Sequence, residues 1–178
     1  MKYTAWLFYF GLFLALPMLL FGDAAEKTIS LFNTKNLSGW TITDFGAQGQ
    51  VSVANGTISL GMGDGATGIT WSGDVDFPKM NYEASLQAKR LSGNDFFCGV
   101  TFPVNEDHLT LVVGGWGGFL VGLSCLDGFD ASENETASMQ RFENNRWYNI
   151  KIRVAENVIR DWIEYKILSQ ISAADHEL

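Results

Sequence analysis

Two stretches of strict alternation constrain the fold more than anything else in this chain. Tyr82, Ala84, Leu86 and Ala88 alternate with Glu83, Ser85, Gln87 and Lys89, and Tyr148, Ile150, Ile152 and Val154 alternate with Asn149, Lys151 and Arg153. A period of two puts each set on one face of an extended strand, one side dry and the other wet. A helix would spread the same residues around its circumference. Short segments rich in Val, Ile, Phe, Trp and Thr, separated by Gly, Asn and Asp, repeat this pattern elsewhere and predict an all-β antiparallel sandwich or barrel. Asn55-Gly56 between two such segments predicts a two-residue hairpin, because both central positions of that turn need positive φ. Phe96 to Phe102 is apolar on both faces and predicts a central strand covered twice. Residues 158–171 are ambiguous: Val158, Ile159, Trp162, Ile163, Lys166 and Ile167 fit helical spacing, yet Val158 to Tyr165 equally suits a strand beside Trp147 to Val154. Ala173 to Leu178 is small and polar and is expected to fray.

The amino-terminal residues predict export. Lys2 precedes an apolar stretch from Ala5 to Phe21, interrupted by Pro17 and followed by Gly22, Ala24 and Ala25. That is the pattern of a secretory leader over residues 1–24, cleaved after Ala24, with an uncleaved anchor as the alternative. The expected destination is periplasmic, cell-surface or extracellular. A net charge of −8 opposes nucleic-acid binding, which needs clustered Lys and Arg. Cys98 and Cys125 fall in segments read as neighbouring strands, so either a disulfide or two buried thiols is consistent with the sequence. Neither has a His or a second Cys at ligand spacing, so zinc is not expected. The glycine-rich stretch Gly61 to Gly68 lacks the Lys-Ser/Thr ending of a phosphate cradle and reads as a turn.

Between Leu109 and Glu135 the sequence turns from packing to chemistry. Gly114, Gly115, Gly117 and Gly118 bracket Trp116, so backbone can approach a ligand while the indole offers a flat apolar face suited to a sugar ring. A hairpin turn whose indole covers core is the alternative. Asp127, Asp130, Glu133 and Glu135 crowd the following loop, which reads as a solvated acidic loop, a structural calcium site or a carboxylate catalytic site. It lacks the ligand spacing of an EF-hand. Asn134 amid those acids can hydrogen-bond a sugar hydroxyl, and Asp95 stands just before the strand that begins near Phe96. His108, flanked by Glu106 and Asp107, is the only His after the leader and before the tail. Trp40, Trp71, Trp147 and Trp162 lie in or beside strand patterns and are expected in the core, while Arg141 and Arg146 flank a turn and are expected to pair with acids.

Ser30-Leu31-Phe32-Asn33 with Leu37-Ser38-Gly39-Trp40, Gly68 to Trp71, Asn81-Tyr82-Glu83, Asp95 to Gly99, Gly114 to Gly118, Asp130 to Thr136 and Arg146-Trp147-Tyr148 occur in an order that resembles one family. It is the family described as 3-keto-disaccharide hydrolase, 3-keto-glucoside lyase and 3-keto-2-hydroxy-glucal hydratase domains, in a secreted bacterial branch. The resemblance covers about Ile29 to Trp162 and implies a concanavalin-like jelly-roll sandwich over residues 28–165, followed by a divergent tail, 166–178. Family chains continue with strands that complete both sheets, so the resemblance also implies a chain truncated at its carboxyl end. It further implies a carbohydrate ligand and hydrolase or lyase chemistry. Cleaving a keto-sugar by elimination needs a base for the proton beside the carbonyl, help for the leaving oxygen and a stabilised enolate. Asp95, His108, Asp127 and Glu133 are the catalytic candidates, and Trp116, Asp130 and Asn134 the substrate-binding ones, on a concave sheet near the acidic loop. No cofactor is implied. The wider family carries an Asn-Ser-Gly strand ending in arginine, and here Phe97 to Pro103 has none, which leaves a sugar-binding module without turnover, or an inactive fragment, as alternatives.

Overall fold

A computed structural model describes residues 27–178. The expected leader, residues 1–24, lies outside the described residues. The chain divides into two compact units, one ending at Asp74 and the other spanning Val75–Leu178.

The described residues of the first unit form two antiparallel strand pairs. Strand β1 (Trp40–Ile42) pairs with β4 (Ile69–Trp71), and β2 (Val51–Ala54) with β3 (Thr57–Leu60). The hairpin forms as its sequence predicts: Asn55 and Gly56 take φ 51° and 73°, the two positive values a two-residue turn demands. Trp40 and Trp71 meet edge to face at 5.2 Å, and the Trp40 indole donates to the Leu31 carbonyl at 2.9 Å. No described residue of this unit is fully buried.

The second unit is a β-sandwich of two four-stranded antiparallel sheets. One has the order β12-β11-β10-β5, from Lys166–Ile171, Val158–Ile163, Tyr148–Ala155 and Tyr82–Ala88. The other has the order β6-β7-β8-β9, from Cys98–Val104, Asp107–Gly114, Leu120–Ser124 and Ser138–Met139. Both alternating stretches form as strands, and their apolar sets face one shared core. Leu86, Ile150, Ile152 and Val154 pack there with Leu109, Leu111, Val113, Val121 and Leu123 from the opposite sheet. Removing these side chains from water supplies the main drive to fold, at roughly 25 cal/mol per Å2 of apolar surface.

Residues 158–171 are strand, not helix: β11 and β12 form a hairpin with a register shift between Asp161 and Trp162. Cross-strand pairing with β10 satisfies the backbone and alternation chooses the faces. Ile159, Asp161 and Ile163 turn inward, so Trp162 turns outward. The Trp162 indole expected in the core is therefore half-buried on the outer face of the sheet, and Trp147 is exposed, beneath the Lys89 ammonium at 4.7 Å.

Three further expectations are corrected. The strand beginning near Phe96 is not central; β6 is the edge of its sheet, with Gly99 and Thr101 exposed, and the doubly covered strands are β7 and β8. That also separates the cysteines. With β7 between β6 and β8, Cys98 is level with Val121, so Cys125 stands two strand spacings across the sheet and four residues along it, roughly 16 Å away, beyond disulfide reach. Both are free, Cys98 with a thiol that burial pushes up to about 12 and Cys125 exposed. Finally, the last residues do not fray. Leu178 packs against the core, and Glu177 accepts from the Asp127 amide and donates its own amide to the Asp127 carboxylate, as described below.

Candidate functional site

The Gly-Trp turn closes the β7-β8 hairpin. A one-turn helical segment, Gly115–Gly118, follows Gly114, yet Trp116 and Gly117 within it have left-handed dihedrals, φ 47° and 84°. For an aromatic residue that region costs about 1 kcal/mol or more. The glycines on either side are required by space as much as by φ. A Cβ on Gly114 would meet the Phe97 ring at 2.9 Å, and one on Gly118 would run into the Asn94 carbonyl. The outcome is an indole presented at the hairpin tip, 52% exposed.

Asp95 stands beside that tip. Its carboxylate accepts from the Phe96 amide at 2.7 Å and from the Gly117 amide at 3.1 Å, tying the start of the β6 segment to the turn. Beneath lies Arg90, a buried guanidinium that donates to Asn144 Oδ1 and to the carbonyls of Asp95 and Phe142. Arg90 thus holds three segments together, with one bond from each of its nitrogens. Arg141 stacks on Phe119 at 5.4 Å, and Arg146 alone of the two flanking arginines reaches an acid, Glu143, at 3.4 Å.

The acidic loop leaves the opposite end of β8. Four residue steps separate Leu120 from Ser124, about 13 Å of strand, so Trp116 and Asp127 occupy opposite ends of β8. The indole and the acidic loop, grouped together as substrate-binding and catalytic candidates in the sequence, therefore stand apart. The loop then returns along the β8 edge and seals it. Asn134 Nδ2 donates to the carbonyls of Leu123 and Asp130 at 2.7 and 2.8 Å, and its Oδ1 accepts from the Thr136 amide and hydroxyl. Thr136 Oγ1 accepts from the Leu123 amide at 2.8 Å. These two side chains stand in for a neighbouring strand where β9 is too short to reach. Asn134 is therefore committed to the fold, and Asp130 Oδ1 to the Ser132 amide and hydroxyl. Glu133 projects from the same loop, exposed.

Sequence reading missed the histidine that faces this loop. His176 Nδ1 lies 2.7 Å from Asp127 Oδ2, and Nε2 lies 3.3 Å from Glu135 Oε1. The Glu177 amide donates to Asp127 Oδ1 at 2.6 Å, and the Asp127 amide donates to the Glu177 carbonyl at 2.7 Å. The hydrogen bond to Asp127 raises the His176 pKa, reinforced by the charges of Asp127, Glu135 and Asp175. The same contacts hold Asp127 below the usual carboxylate range, the imidazole first and the Glu177 amide second. Nothing in local spacing links positions so far apart in the chain. His108, by contrast, is an exposed residue at the far end of the β6-β7 hairpin, paired across from Pro103. Among the described residues no three His, Cys, Asp or Glu side chains are grouped to hold a metal ion.

A family profile described as 3-keto-alpha-glucoside-1,2-lyase-like domain matches residues 27–177. The chain belongs to that family. The match includes both compact units and runs past Trp162 through β12 and His176. Comparison with curated proteins and with solved structures found no match. Membership in the 3-keto-alpha-glucoside-1,2-lyase-like family gives the sandwich a carbohydrate context, and in that context the exposed indole and the carboxylate-held imidazole are its two chemically distinctive features.

Proposed function

We propose that this protein is an exported carbohydrate-active domain that cleaves or hydrates 3-keto-glycosides. The family match over residues 27–177 carries the proposal. A ketone at C3 acidifies the C2 proton, so elimination needs one group to take that proton and another to protonate the departing oxygen. His176, whose protonated form Asp127 and Glu135 favour, suits donation to the leaving oxygen and stabilisation of the enolate. Glu133, on the same loop, and His108 are the candidates for the base, because neither is consumed by an internal hydrogen bond. Trp116, with Asp95 fixing its turn, supplies a stacking face for a more distant ring of an extended glycan.

The test is turnover of 3-keto-glycosides by the full chain, followed as release of the leaving sugar. His176→Gln and Glu133→Gln are expected to lower kcat by about a hundredfold, the usual range for loss of a proton-transfer group. Neither cleavage nor binding of the keto-sugar would defeat the proposal. One observation favours a second reading, glycan binding without turnover: the outward positions of β6, Gly99, Thr101 and Pro103, carry no ionisable group. Saturable binding with no product would establish that reading.

A further inference from the structure

The outer face of the β12-β11-β10-β5 sheet carries a row of side chains that packing does not account for. Ser85 and Gln87 of β5, Asn149 and Lys151 of β10 and Trp162 of β11 all alternate with core residues and so point outward. Gln87 Nε2 donates to Asn149 Oδ1 at 2.8 Å, and Asn149 Nδ2 donates to Glu164 Oε2 at 2.9 Å. The β11-β12 turn that brings Glu164 there is itself fixed: Glu164 has φ 56°, and its amide donates to the Asn149 carbonyl at 2.8 Å. That turn holds Tyr165 in solvent, 96% exposed, next to Trp162. These groups line a depression of about 630 Å3, within the roughly 300–1,000 Å3 of small-molecule sites.

One exposed aromatic is ordinary on a protein surface. Here two aromatic residues adjoin a hydrogen-bonded row, one of them carried by a fixed backbone turn, and the charges narrow the ligand class. The single base, Lys151, is shared between Glu83 at 2.9 Å and the Trp162 face at 5.8 Å, and the acid, Glu164, is engaged by Asn149. With both signs present and each partly satisfied, the depression favours neither an anion nor a cation. What it offers is Gln87 Oε1, Glu164 Oε1, the Ser85 hydroxyl and two ring faces, the complement of a neutral polyhydroxylated ring.

We propose that this depression is a saccharide-binding subsite, separate from the Asp127–His176 loop and on the other sheet, in which a pyranose stacks on Tyr165 and Trp162 while its hydroxyls bridge Gln87 and Glu164. The inference rests on the carbohydrate reading of this family but not on turnover. The full chain is titrated by calorimetry with maltotriose, cellotriose and laminaritriose, beside Tyr165→Ala and Gln87→Ala. At least one trisaccharide is expected to bind saturably, and Tyr165→Ala is expected to weaken that binding about tenfold, the loss equivalent to roughly 1.4 kcal/mol. Because both side chains are solvent-facing, the variants are expected to melt with the unmodified protein, which separates lost binding from lost folding. Binding that persists in a chain unable to turn over 3-keto-glycosides supports the subsite and removes the catalytic reading. No saturable binding of any trisaccharide, or equal binding by both variants and the unmodified chain, overturns the subsite whether or not keto-sugars are cleaved.

Discussion

The two compact units use the same strand chemistry and reach different degrees of burial. The unit ending at Asp74 has two strand pairs and no fully buried described residue, whereas Val75–Leu178 stacks two four-stranded sheets over a core in which Leu111, Ile152 and Val154 are wholly enclosed. Two-stranded ribbons are marginal in water unless something covers them. The difference teaches that alternation makes a strand, while a second sheet on the apolar side makes it stable. Global stability should therefore reside in the sandwich.

The largest effect that tests this contrast is a cavity. Ile152→Ala should destabilise by about 3 kcal/mol, as enclosed Ile→Ala substitutions do, while Ile58→Ala in β3 should change stability by less than about 1 kcal/mol. Urea denaturation of both variants decides it, and equal losses would erase the distinction between the units.

The next effect comes from the one polar flaw in the well-packed unit. Asp161 is fully buried, its Oδ1 accepts from the Ser169 hydroxyl, and its Oδ2 has no partner. Burial pushes the carboxyl up to about 6 from 3.8, against the opposing bonds from Ser169. The folded state then holds a proton that the unfolded state releases, so stability falls as pH rises from about 4 to about 6 and stays reduced above that. Linkage puts the loss at roughly 3 kcal/mol. Asp161→Asn should remove the slope, and denaturation at pH 5 and pH 7.5 should differ clearly only in the unmodified chain.

A smaller effect compares the two tight turns. Asn55 and Trp116 share the left-handed region, at φ 51° and 47°, but Asn tolerates it and an aromatic does not. Trp116→Gly should raise stability by up to about 1 kcal/mol while abolishing any stacking of sugar at that tip; Asn55→Gly should be nearly neutral. A melt that falls by several degrees on Trp116→Gly would show that the indole supports the fold.

The smallest effect concerns the carboxyl-terminal clasp, which has no counterpart among the described residues of the first unit. His176 has a raised pKa, so its contribution is complete below its ordinary value of 6.5 and is lost as pH rises through the folded value. Asp127 has a lowered pKa, so its contribution is present above 3.8 and is lost as pH falls through its folded value. Amide exchange at Asp127 and Glu177 should be slowest between those limits, and His176→Gln should flatten that profile with little change in global stability.

Much of the fold was legible because alternation is local. The strands Tyr82–Ala88 and Tyr148–Ala155, the inward and outward sets on each, and the Asn55-Gly56 turn all follow from residues a few positions apart. What escaped depended on distance in the chain. Sequence could not tell that Asp161 rather than Trp162 would face inward, since a carboxylate at an inward register is against every compositional expectation. Nor could it show that Asn134 and Thr136 would serve as surrogate strand for β8, or that His176 would return to the loop at Asp127. The residues grouped as one candidate site in the sequence stand at two ends of one strand, Trp116 at one and the loop from Asp127 at the other, because the direction of β8 is not written in local spacing.

The enclosed carboxyl between β11 and β12 makes hydrogen ion a ligand of the native state, in the same thermodynamic sense as any small molecule that binds only the folded form. When that ligand dissociates near neutrality, the charge left behind has no solvent and one unanswered oxygen. The least disruptive way to reach water is for the outermost hairpin to part, so breathing of the sandwich in neutral surroundings should begin at the Asp161–Ser169 rung and spread outward along β12.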